Sequence, residues 1–120
     1  MIQRDSSLIG YAFPIHKRDG FVCRYCGLDG KASFENWLTL SQDHLLPKGH
    51  SDRENPDYIV TACAFCNVAE NRYFDSAVKR GLQFDSLTPD ELVAQRRPYV
   101  LKVRQRYRKF WETEVERTAV

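Results

Sequence analysis

No stretch of the sequence approaches the roughly 20 consecutive apolar residues that cross a bilayer, which excludes a helical membrane span. The opening MIQRDSSLIG has neither an apolar core nor a small-residue cleavage site, so it does not read as an export signal. The expected compartment is therefore the reducing cytoplasm, where disulfides are rare and cysteines serve as thiols or metal ligands. Glycine and proline are few and scattered, leaving no linker, repeat or low-complexity tract. A single domain over residues 1–120 is expected, within the usual ~100–150. Net charge is only +2, too small to argue from as a total. Its distribution is more informative: residues 96–109 hold seven Lys or Arg and no acidic residue.

What is present is a set of four cysteines in two pairs. Cys23-x-x-Cys26 and Cys63-x-x-Cys66 are separated by 36 residues. A CxxC turn points two thiolates at one ion, and two such turns complete a tetrahedron. Gly27, just after the first pair, supplies the permissive backbone that a tight knuckle favours. Independent buried thiols would not require paired spacing, and a redox CxxC would call for a thioredoxin-like βαβ pattern that is missing. Four thiolates leave no open coordination position, so the expected Zn²⁺ is structural rather than catalytic.

Around these pairs the predicted elements are short. A helix is expected over Pro14–Asp19, closed by Gly20. Alternation in Trp37-Leu38-Thr39-Leu40-Ser41 predicts a half-buried strand, with Asp43–Leu46 as its partner and Pro47 ending the ladder. Lys48–Asp57 reads as a loop, and residues 64–80 as a helix stopped by Gly81. Thr88-Pro89-Asp90-Glu91 carries the capping-box signature of a last helix reaching about residue 116, with Pro98 predicting a kink or break. Its apolar stripe, Val100, Val103, Tyr107 and Phe110, is expected to face the core. The fold class is a small α+β one.

Between the pairs lies Asp43-His44-Leu45-Leu46-Pro47, and the second pair is followed at once by Asn67. Cys-x-x-Cys-Gly, Asp-His-hydrophobic-hydrophobic-Pro and Cys-x-x-Cys-Asn together resemble the zinc-ribboned HNH endonucleases, over roughly residues 16–72, and Lys17 to Val22 resembles that family's approach to its first knuckle. The resemblance implies a ββα-metal core, a β-hairpin packed on a helix around a divalent ion, with a helical extension over about 88–117. It implies His44 as the general base that activates water. It implies Asp43 and Asn67 as ligands of a catalytic Mg²⁺ or Mn²⁺, an oxygen donor set that suits hard cations. Histidine fits the base role because its ordinary pKa lies near 6.5. The sequence departs from the pattern at Tyr58, where the family's middle Asn usually sits; Asn55 is the expected replacement in holding the loop. Gly49-His50 replaces a frequent Gly-Gly, and Glu70 a frequent Lys. Adjacent strand residues point to opposite faces, so Asp43 and His44 share a site only if the hairpin twists or bulges.

The remaining candidates are weaker. His50 reads as a solvated loop histidine and His16 as a surface residue. Asn71, one turn after Asn67, reads as a surface amide. Arg97, Arg104 and Arg108, with Lys102, Arg106 and Lys109, form basic stripes at helical spacing that are expected to contact DNA phosphates with little sequence specificity. The resulting expectation is an endonuclease acting on DNA phosphodiester bonds. The alternatives are a catalytically impaired zinc-knuckle nucleic-acid-binding module and, least favoured, a zinc-stapled protein-interaction domain.

Overall fold

The computed structural model describes residues 5–69 and 72–119; Glu70 and Asn71 lie outside them. After a 3-10 turn at Asp5–Ile9, α1 (Phe13–Arg18) carries Pro14 in its first turn, and Gly20 leaves it at φ +68°. Asp19, just past α1, is the tie between this helix and the sheet. Its Oδ2 accepts the Thr61 N–H at 2.8 Å, and its Oδ1 accepts from Arg18 Nε at 3.0 Å. Burial alone would raise the Asp19 carboxyl, but these hydrogen bonds and the Arg18 charge hold it below the ordinary carboxylate value. His16, expected on the surface, is instead 1% exposed, with Nδ1 2.7 Å from Thr61 Oγ1. α1 packs against the sheet, so the side of the helix bearing His16 is its inner side.

The expected pairing of residues 37–41 with 43–46 is not formed. Ser33 accepts the Asn36 N–H and caps α2 (Phe34–Leu38), which takes Trp37 and Leu38 out of any strand. β1 runs Leu40–His44 and pairs antiparallel with β2 (Ile59–Cys63), Leu40 opposite Cys63 and His44 opposite Ile59. A long connection, residues 45–58, separates them, and it ends in a 3-10 turn at Pro56–Tyr58. Every residue of β2 is buried, as its Ile-Val-Thr run allows.

The single helix expected over 64–80 is two: α3 (Ala64–Val68) and α4 (Tyr73–Lys79), with Arg72 in a non-helical conformation before the second. Gly81, at φ +78°, ends α4. α5 (Pro89–Phe110) starts with the expected capping box, Thr88 and Glu91 bonding each other's backbone N–H. It runs on through Pro98 as one continuous helix, without the break that was one of the two outcomes expected there. Both Pro98 and Ala94 lie on the exposed side of the helix, so the carbonyl that proline leaves unpaired faces solvent. A π-helical turn, Trp111–Val115, continues it.

The core gathers Tyr25, Leu45, Leu46, Val60, Ala62, Leu92, Val93 and Val100 around the cysteines. Burying each large aliphatic side chain contributes about 1.5–3 kcal/mol. Only the first half of the α5 apolar stripe joins it. Val100 and Val103 are buried, whereas Tyr107 and Phe110, expected against the core, are 57% and 62% exposed. No helix of the described residues is long and apolar enough to cross a membrane.

Burial, its largest influence, lowers the His16 pKa, so the folded chain favours neutral imidazole. The unfolded chain therefore takes up this proton first as pH falls. Stability from this group is present above about pH 6.5 and is lost progressively below it. Denaturant unfolding between pH 7 and 5 should show that loss in the wild type, and His16→Gln should reduce its slope.

Candidate functional site

The four sulfurs of Cys23, Cys26, Cys63 and Cys66 all lie within 4.8 Å of one another, Cys26 and Cys63 being 3.9 Å apart. A tetrahedron with Zn–S bonds near 2.3 Å has sulfur–sulfur edges of about 3.8 Å. The cluster is thus compatible with a structural metal such as zinc. Local backbone explains the convergence. In the first knuckle Gly27 takes φ +81° and returns its N–H to Cys23 O at 3.0 Å, while Cys23 N–H reaches Leu28 O at 3.0 Å. In the second, Cys63 is the N-cap of α3, so β2 delivers one sulfur and the first turn of the helix the other. Hydrogen bonds from Cys63 and Cys66 hold the Cys23 thiol far below its ordinary value, while the bond to Cys23 raises Cys66. Loading of a metal therefore displaces thiol protons.

Two arginines of α5 hold this cluster against the helix. Arg104 Nη1 lies 3.6 Å from Cys66 Sγ and 4.0 Å from Cys63 Sγ, its guanidinium 5.3 Å over the Phe65 ring. Arg97 Nε donates to the Tyr25 carbonyl inside the first knuckle at 2.9 Å. Of the six residues expected to meet phosphate, these two are thus engaged with the knuckles. Lys102 and Arg108 remain exposed.

Asp43, His44 and Asn67 are brought into one unit, β1–β2–α3, but they face differently. Asp43 is 2% exposed and takes hydrogen bonds from both Tyr25 and Arg96. Arg96 Nη1 is 3.0 Å from Oδ1 and 3.2 Å from Oδ2, and Nη2 donates to the Asn67 carbonyl at 3.3 Å. The rings of Tyr25, Tyr73 and Phe74 surround the guanidinium at 5.4–5.6 Å. Burial raises the Asp43 carboxyl, and the Arg96 charge and then the Tyr25 hydroxyl pull it back. Asn67 donates its amide Nδ2 to the Gln42 carbonyl at 2.9 Å and to Ser41 Oγ at 3.0 Å, pinning α3 to β1. His44 points the other way from Asp43, as strand alternation requires. Its side chain is 26% exposed, with Nε2 3.2 Å from Glu54 Oε1. That contact, in turn, holds the exposed Glu54 below the ordinary carboxylate value.

The donor types of Asp43 and Asn67 suit a hard cation, but the carboxylate already holds one. With Arg96 seated, both Asp43 oxygens already accept hydrogen bonds and the carboxylate is buried, so as it stands the pair does not fit a divalent ion. Among the described residues the cysteines form the only metal-capable cluster of three or more His, Cys, Asp or Glu side chains. His50, expected to be solvated, has Nε2 2.7 Å from Asp85 Oδ1 and accepts the Asp52 N–H. Asn55 accepts the Asp57 N–H at 3.0 Å and so caps the turn that precedes β2. Tyr58 follows it, half-buried against the core, and its carbonyl accepts the Leu45 N–H. Sequence reasoning passed over Arg96, Tyr25 and Glu54. Arg96 carried one signal, its place at helical spacing in the apolar stripe of α5 (Val93, Arg96, Val100), where a charge needs a buried partner.

No family model matches the chain, and no curated protein or solved structure matches it either.

One zinc per chain is expected by elemental analysis, with Cys63→Ser losing both metal and much of the fold. Arg104→Ala should keep the fold but speed zinc extraction by a chelator about 10–100-fold, the usual effect of removing a group that supports metal ligands, with Arg104→Lys in between. Unchanged extraction in Arg104→Ala counts against the contact with the sulfurs.

Proposed function

We propose that this chain is an HNH-type endonuclease unit acting on DNA phosphodiester bonds, its ββα core stapled by a four-cysteine zinc. The observation that supports the reading is convergence. Two antiparallel strands run directly into a helix, and Asp43, His44 and Asn67 fall on that one unit although the last lies 24 positions from Asp43. Four sulfurs close it at the β2–α3 junction. A zinc staple alone gives no reason for these three residue types to fall on the unit it closes.

The residue roles follow from their atoms. His44 is the proton acceptor. When Nε2 carries the hydrogen and donates it to Glu54, Nδ1 keeps the lone pair that can take a proton from water. Glu54 orients the ring and stabilises imidazolium as it forms. Asn67 fixes the strand that carries both Asp43 and His44, through the Gln42 carbonyl. Lys102 and Arg108 are the exposed cations of α5 that meet backbone phosphate without reading sequence. A divalent ion would supply Lewis-acid stabilisation of the phosphate, and Asp43 could help to hold it only with Arg96 displaced, since the guanidinium competes for the same carboxylate.

The seated Arg96 favours a second reading, a nucleic-acid-binding module whose cutting chemistry is silenced by its own guanidinium. Cleavage of supercoiled plasmid in Mg²⁺, Mn²⁺ or chelator separates the two. On the first reading His44→Ala loses about 10²–10⁴-fold in rate with zinc content intact. Arg96→Gln should tighten Mn²⁺ binding, measured by calorimetry, if Asp43 is freed for it. Cleavage by His44→Ala at the wild-type rate would falsify the nuclease reading. A wild type that binds but never cuts DNA leaves the second in its place.

A further inference from the structure

We propose that the C-terminal part of α5 and its π turn form a self-complementary arm that pairs antiparallel with the same arm of a second copy of the chain. This inference is independent of the nuclease reading. The apolar stripe that seats α5 on the core, through Val93, Val100 and Val103, does not stop where the core stops. It continues along the same face through Tyr107, Phe110, Trp111 and Val115, which are 57%, 62%, 43% and 53% exposed. Every residue from 105 to 119 is exposed, so this segment projects from the body. Phe65 meets Tyr107 edge-on at 5.0 Å and is the last side chain of the body to cover the stripe. The π turn keeps the stripe in line. Its i→i+5 bond, from Glu116 N–H to Trp111 O at 2.8 Å, widens the turn and carries Val115 back under Trp111.

Charge on the arm says what covers it. On the Phe110 side of the helix the charge before Phe110 is basic, Arg106, and the one after it is acidic, Glu114. Among the described residues neither of these two is in an ion pair. They are symmetric about Phe110, four positions to either side, and at about 3.6 residues per turn that spacing keeps both on the Phe110 side of the helix. A two-fold axis at Phe110 with antiparallel helices therefore sets Arg106 against the partner copy's acidic position 114, and conversely. An isologous contact needs this self-complementarity, in which a patch meets its own image. A nucleic acid fits the arm less well, because its phosphates would meet the acidic half. The open groove of about 730 Å³ between Phe65, Arg104, Tyr107 and Trp111 is the space that the second arm enters.

Two arms of this length bury a small interface, in the class below about 1,200 Å², so the dimer is concentration-dependent. Sedimentation equilibrium of the zinc-loaded chain from roughly 10 μM to 1 mM reads it. The wild type should dimerise. Phe110→Asp and Glu114→Arg should each raise the dissociation constant at least ~10-fold with zinc content and helicity unchanged, since both positions are exposed. The swap Arg106→Glu with Glu114→Arg in one chain should restore association, because each new charge meets its complement across the axis. A wild type that stays monomeric overturns the proposal, as does a dimer indifferent to these variants. Loss of DNA affinity in Phe110→Asp, with the wild type monomeric, reassigns the arm to nucleic acid.

Discussion

Everything else in this fold depends on two knuckles, 36 residues apart in sequence, being held to one point. Little secondary structure lies between them: a five-residue helix and two five-residue strands joined by a long loop. A two-stranded sheet is marginal in water and needs packing or a staple to persist. The sulfur cluster supplies that staple, and a metal held there converts its binding free energy into folding free energy. The consequences run outward from it. The first knuckle sets the Tyr25 ring and its carbonyl; the second fixes the angle at which α3 leaves β2 and hence where Asn67 reaches β1. α5 then closes over both through Arg97 and Arg104.

Beside the cluster sits a second constraint of a different kind. Asp43 and Arg96 are both nearly sealed from water, and a buried ion pair returns its desolvation cost only when the remaining hydrogen-bonding capacity is met. Tyr25 meets much of it on the carboxylate side, and the Asn67 carbonyl takes one Arg96 N–H. Among the described residues Arg96 Nε has no hydrogen-bond partner, though three rings lie against the guanidinium. Such a pair contributes less to stability than to register: it allows one rotation of α5 about its axis, the one that points position 96 at β1.

The parts of this arrangement that were legible in the sequence are those written locally. CxxC spacing, Gly27 after the first knuckle, the Thr88–Glu91 capping box and the glycines at 20 and 81 each act within a few residues, and each stands as expected. The strand pairing was not legible, for two reasons. Trp37-Leu38 alternates like a strand, but the Ser33 cap upstream decides for helix. The true partner, Ile59–Cys63, lies beyond a loop too long for any turn signal to specify. That Asp43, His44 and Asn67 fall on one β1–β2–α3 unit was suggested by the motif resemblance. The facing of Asp43 was not, because its partner is 53 positions away on a helix whose charges all looked alike. For the same reason Arg97 and Arg104 read as part of a phosphate-binding stripe; only tertiary packing distinguishes an arginine that holds a carbonyl or a sulfur from one that meets solvent.

The uninterrupted passage of α5 through Pro98 has a mechanical consequence. A helix rises ~1.5 Å per residue, so Arg96 and Arg104 are bolts about 12 Å apart on one stiff rod. One is thrown into a carboxylate and the other against the sulfurs. Sliding the rod by a single turn, about 5.4 Å, withdraws both, and no register keeps one while releasing the other. A break in the helix at Pro98 would have uncoupled them. Without it, the counter-ion of Asp43 and the brace on the cysteine cluster move as a single part.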